Sequence, residues 1–154
     1  MDTLSIVHHK SKYSAEAYRT FAINGTAIEV WLPNQNPSSE LDLISAHEGL
    51  NDEQETALIW DRIFSTAPNW TCIVPLLVCP DDVDLSCTVI VAEQLSSETS
   101  ITWKRFGLLL EPAKLESPSV DWYPDIRPVE FERDNFMKVI EEFRSAVNID
   151  LGWG

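Results

Sequence analysis

The sequence predicts an α+β fold: an antiparallel sheet carrying a C-terminal amphipathic helix and a second helix packed on one face. Three observations predict it. Apolar runs of strand composition follow one another closely between residues 71 and 110, separated by turn formers. The stretch "RDNFMKVIEEFRSAV" places Phe136, Val139, Ile140, Phe143 and Val147 in one stripe at helical spacing, with its charges opposite. The strands come in succession and do not alternate with helices, as an antiparallel sheet requires.

Taken in order, "LSIVHH" reads as a first strand. "YRTFAINGTAIEVWLP" reads as a hairpin, because Asn24-Gly25 supplies the positive φ values of a tight turn between two β-leaning runs. In its second strand Ile28, Val30 and Leu32 would share one face and Trp31 the other. Residues 33–40, "PNQNPSSE", read as a loop. "NDEQETALIWDRIF" reads as a helix with Asn51 as a possible cap, acids in its first turn and Ala57, Trp60, Ile63 and Phe64 at helical spacing. In "TCIVPLLVC", Pro75 predicts an edge or a bulge. "LSCTVIVAEQ" is apolar on both faces and reads as a central strand, followed by "SITWKRFGLLL". Residues 111–128 hold four prolines and cannot be regular throughout. Residues 77–79 and 85–92 should pair around Val83, which would set Cys79 opposite Cys87 as reduced thiols.

A chain of 154 residues with 44% apolar composition fits one globular domain, 1–154. The opening twenty residues lack the basic start and apolar run of a signal peptide, and no stretch approaches the roughly 18 apolar residues of a membrane span. A cytoplasmic chain is expected, with no membrane partner. Cys72, Cys79 and Cys87 show no C-x-x-C spacing, and an odd number in a reducing compartment reads as buried thiols.

Charge is the strongest compositional signal. Twenty-five acids against eleven Lys and Arg give −14, and residues 1–32 are neutral, with three of each sign. From Glu40 to Glu98 there are twelve acids and one base, Arg62. Such a field repels nucleic acid and attracts a basic protein surface.

Reactive constellations are scarce. From Asp82 to Glu93 the spacing approaches a calcium-binding EF-hand loop, but Cys87 stands where the sharp turn needs Gly, and "CTVIVA" is strand-like. Glu93 would lie some 20 Å along a strand from Asp84, too far to close a cage. His8 and His9 point to opposite faces of a strand, His47 is isolated, and zinc spacings are missing. There is no G-x-S-x-G elbow or phosphate-cradling loop. Cys72 with His47 is a conceivable pair, although an apolar run raises a thiol pKa. Asp52 with Glu55, or Glu141 with Glu142, read as solvated helix faces. No cofactor, metal or catalytic residue is expected.

What remains is a set of candidate partner-binding residues. Asp81, Asp82 and Asp84 crowd one turn, where Pro80 and the aspartates are also ordinary turn chemistry. Asp52, Glu53 and Glu55 open the second-last helix. Trp122 and Tyr123 lie in "VDWYPDIRP" between Asp121 and Asp125, either a binding anchor or a loop tethered to the core. A small acidic α+β chain built around "LLVCPDDVDLSCTVIVAE" and "FMKVIEEFRSAV" resembles the immunity proteins of bacterial toxin systems in general character, without a diagnostic motif. That resemblance implies a non-catalytic module that binds and neutralises a cognate toxin domain, often a basic nuclease. A small enzyme assembled from dispersed residues, or a housekeeping adaptor, are the alternatives the residues leave open.

Overall fold

A computed structural model describes residues 1–10, 16–36, 43–80, 83–86, 88–110 and 119–147. The class is α+β, with antiparallel strands in two sheets and a C-terminal helix. The first sheet joins β1 (Leu4–His9), β2 (Tyr18–Ile23) and β3 (Thr26–Ala27). Asn24 (φ 52°) and Gly25 (φ 87°) make the expected tight turn between β2 and β3.

The predicted second strand of that hairpin is corrected. After two residues of β3 the chain enters α1 (Ile28–Gln35), with Pro33 inside it. Ile28, Trp31 and Leu32 are its buried residues, an i, i+3, i+4 face, while Val30 is exposed. Tertiary contacts hold this short helix where propensity would not. Glu29 accepts hydrogen bonds from Tyr18 Oη (2.6 Å) and Thr20 Oγ1 (2.5 Å), lashing the first turn of α1 across β2. Burial and the Glu29 charge push the Tyr18 phenol far up, so it stays a donor.

The second sheet contains β4 (Ile44–Ser45), β5 (Thr71–Val78), β6 (Val89–Ser96), β7 (Ser100–Leu109) and β8 (Val120–Trp122) in that order, with β9 (Val129–Glu132) also on β7. A 3-10 turn, Ala46–Glu48, and α2 (Glu53–Ile63) precede β5, and α3 (Arg133–Val147) ends the described chain. Pro75 produces a register shift between Pro75 and Leu77, and β4 pairs only with Leu77 and Val78. Pro75 therefore sits at a bulge on a length of β5 that β4 does not reach. Val78 pairs with Val89, and Cys79 N donates to Thr88 O (3.1 Å). Cys79 thus lies opposite Thr88, one residue off the predicted register; Cys87 falls outside the described residues.

Direct pairing fixes which side chains share a face. Ala92, Gln94, Trp103 and Phe106 line an inner face under α2 and α3, where Phe136 of α3 meets Trp103 at 6.1 Å between ring centroids. Gln94 is fully buried there. It donates to Ile63 O and accepts from Trp103 Nε1, both at 3.0 Å, which joins α2, β6 and β7 through one amide. On the outer face the row Thr71, Leu95, Thr102 and Glu130 runs across β5, β6, β7 and β9. Among the described residues, no helix is long and apolar enough to cross a membrane.

Candidate functional site

The acids singled out in the sequence come together in part. Asp52 is the N-cap of α2: its Oδ1 accepts from Gln54 N (2.8 Å) and Glu55 N (3.1 Å), a role commonly worth about 1 kcal/mol. The cap falls one residue after the expected Asn51, whose N–H instead donates to Val83 O (2.9 Å). Glu55 Oε1 accepts from Leu85 N (3.1 Å), so the first turn of α2 abuts the β5–β6 connection that carries Asp84. Asp84 Oδ1 accepts from Ser86 Oγ (2.6 Å) and Ser86 N (2.9 Å), and these bonds hold its carboxyl below the usual range. Asp81 and Asp82 lie outside the described residues.

This ledge is acidic, yet three of its four described carboxylates serve local backbone. Asp52 and Asp84 satisfy N–H groups within their own turns, as short acidic side chains do at caps and Asx turns, and Glu55 reaches across to Leu85 N on the β5–β6 connection. Glu53 alone is exposed with its carboxylate engaging no described residue. Val83 adopts φ 49°, a left-handed conformation unfavourable for a β-branched residue, so the connection is held in shape by its contacts and not by local preference.

The aromatic pair does not join the ledge. Trp122 is in β8, not in an irregular loop, and it is half-buried. The Arg105 guanidinium lies 4.0 Å over its ring and makes two 3.1 Å bonds to the Glu93 carboxylate, so Glu93, Arg105 and Trp122 form a ladder across three strands. A register shift between Ala92 and Gln94 places Arg105 there, and β8 can close on β7 only because Gly107 has no Cβ: one would sit 2.6 Å from Asp121 O. Glu93, which the spacing set too far along a strand to close a calcium cage, is an arginine partner. Tyr123 packs at the core margin and donates its N–H to Phe106 O (2.9 Å).

Two reactive side chains are inert by placement. The Cys72 thiol donates to Arg62 O (3.3 Å), and burial raises its pKa. His47, with no exposure, stands among Phe21 (5.3 Å), Trp60 (4.8 Å) and Phe143 (6.4 Å), and neither ring nitrogen has a hydrogen-bond partner. Burial pushes its pKa down to about 3, against a smaller upward pull from the Ile59 backbone. The Cys72–His47 pair is therefore not formed. No group of three or more His, Cys, Asp or Glu among the described residues could hold a metal. No family model, curated protein or solved structure matches this chain.

Charge is the property left for the surface to use. Arg62, the one base between Glu40 and Glu98, gives its Nε–H to Ile73 O and caps the β5 edge that β4 leaves open. Glu48 is matched by Arg19 (3.2 Å) and Glu93 by Arg105 (3.1 Å), and both bases come from outside that acidic segment. Glu53, Asp61 and Glu98 are exposed. Pairing was not legible in the sequence, because the partners are 29 and 12 residues apart and meet only across the fold.

Proposed function

We propose that the chain is a non-catalytic, acidic protein-binding module whose partner is a basic protein surface, and that it acts as an immunity protein neutralising a toxin domain. The observation that supports this most is the charge left over after the fold has used what it needs: −14 overall, with the one base of the acidic segment spent on a backbone carbonyl. A long-range field of that sign raises the encounter rate of a basic partner and disfavours anionic ones, nucleic acid among them. The general resemblance to immunity proteins gives the toxin domain its place in the proposal. A cytoplasmic location belongs to the same proposal, since the inhibitor must meet its target there.

Replacing Asp81, Asp82 and Asp84 with Asn tests whether the β5–β6 turn takes part. If it does, association with a candidate basic toxin domain slows by about three- to tenfold while dissociation changes less, because rim charges act on encounter. Rates equal to those of the unaltered chain would leave the triplet as turn chemistry and remove the turn from the binding surface.

A further inference from the structure

Asp2, just ahead of β1, ties three parts of the molecule together. Its N–H donates to Glu130 O (2.8 Å) and its Oδ2 accepts from Glu130 N (3.1 Å), while Arg127 reaches both carboxylate oxygens (3.0 and 3.3 Å). Its Oδ1 also accepts from Asn24 Nδ2 (2.8 Å). Asn24 Oδ1 in turn accepts from Thr3 N (2.8 Å), and Asn24 N donates to Thr3 O (2.9 Å). One carboxamide therefore fastens the β2–β3 turn to residues 2 and 3 and, through Asp2, to β9.

The same carboxamide is the one best placed by sequence for self-cleavage. Among the asparagines of the chain only Asn24 is followed by glycine, whose amide nitrogen has no Cβ beside it to hinder attack on the preceding side chain. In that reaction the bond from Gly25 N to Asn24 Cγ forms and the Cγ–Nδ2 bond breaks. The Gly25 amide proton departs with Nδ2 as ammonia, leaving a five-membered imide. Water then adds to one of the two imide carbonyls and opens the ring to aspartate or isoaspartate.

The folded clasp opposes ring closure. Asn24 (φ 52°) and Gly25 (φ 87°) are in the left-handed conformations of a tight turn, and both polar atoms of the carboxamide are engaged. Attack requires the side chain to leave Thr3 and Asp2 and swing onto Gly25 N. Residues 1–3 must first lift away, and a segment joined to β9 by the isolated Asp2–Phe131 bridge opens at lower cost than a laddered strand. After conversion the clasp cannot close again. An oxygen takes the place of the nitrogen that stood 2.8 Å from Asp2 Oδ1, so a donor becomes a second anion and Arg127 is left to serve two carboxylates.

We propose that Asn24 is a deamidation site, that its conversion releases residues 1–3 from the β2–β3 turn in one direction only, and that the Asp2 clasp sets its rate. The change is independent of any partner and adds one negative charge to the chain.

The test holds the full chain in mildly alkaline buffer and follows position 24 by peptide mass and isoaspartate-specific methylation. The folded chain should convert more slowly than the same chain in urea. Asp2→Ala should speed conversion of the folded chain about tenfold, and Arg127→Gln, which loosens Asp2 without touching the hairpin, about threefold. Asn24→Asp, which puts the product's charge in place, should speed amide exchange at Thr3 and Glu130 about tenfold while Val89–Ser96 stays protected. Equal conversion in the unaltered and Asp2→Ala chains would overturn the clasp as the gate; should that variant fail to fold, the Arg127→Gln rate decides in its place. Unchanged exchange at Thr3 and Glu130 in Asn24→Asp would overturn the release.

Discussion

Phe143→Ala should lower the unfolding free energy by roughly 3–5 kcal/mol in a denaturant titration, the cost of emptying a large buried aromatic site. Phe143 has no exposure and sits where α3 crosses between the two sheets. Its ring lies 4.7 Å from Phe21 of β2 and 5.5 Å from Trp60 of α2, so one side chain joins three elements distant in sequence. The neighbours are rigid rings and cannot flow into the space, which places the cost toward the upper part of the range. A loss under about 1 kcal/mol would mean that the α3 stripe is not the packed seam described here.

The second large effect is acid lability through His47. Its pKa falls from the usual 6.5 to about 3 because the fold buries the ring completely, and the Ile59 backbone pulls it back only in part. The sign follows from proton counting: below about pH 6.5 the unfolded chain takes up a proton that the folded chain refuses. Stability from this residue is complete above pH 6.5 and is lost as pH falls toward 3, at up to about 1.4 kcal/mol per unit and roughly 3–5 kcal/mol in all. Asp2 adds to the loss below about pH 4. Burial raises its pKa, but Arg127, Asn24 and the Glu130 N–H outweigh that and hold it near 2. Denaturant titrations from pH 7 to 4 should show the slope, and His47→Phe should flatten it. Should that variant fail to fold, imidazole NMR of the unaltered chain decides: a ring that stays neutral at pH 5 supports the account, and one that titrates near 6.5 contradicts it.

The parts of the fold that could be read from the sequence are those where one periodicity acts alone. Val89–Ser96 and the stripe from Phe136 to Phe143 are long and unambiguous, and both form, although the strand begins at Val89 and not at the expected Leu85, which lies in a turn. "TAIEVWLP" carries both signals, because β-branched Ile28 and Val30 favour a strand while Ile28, Trp31 and Leu32 fit a helix face. Tertiary contact decided it, through the clasp of Tyr18 and Thr20 on Glu29. The Asn24-Gly25 turn was legible because its chemistry is local, whereas the register around Val83 was not, since nothing in "PDDVD" fixes which residue lies at the centre. Acidity was readable, but the use of each acid was not. Asp52 is a cap and Glu93 holds an arginine, and only the fold reveals that Glu130 and Glu132, unremarked in the sequence, face outward uncommitted.

The central claim, that surplus negative charge brings this chain to a basic protein, is tested most directly by stopped-flow association with a candidate basic toxin domain at two salt concentrations. Between about 0.05 and 0.5 M salt the screening length shortens from about 14 Å to about 4 Å. Association should then slow by at least about tenfold while dissociation changes much less, the behaviour of an electrostatically steered encounter. An association rate indifferent to salt would contradict the claim.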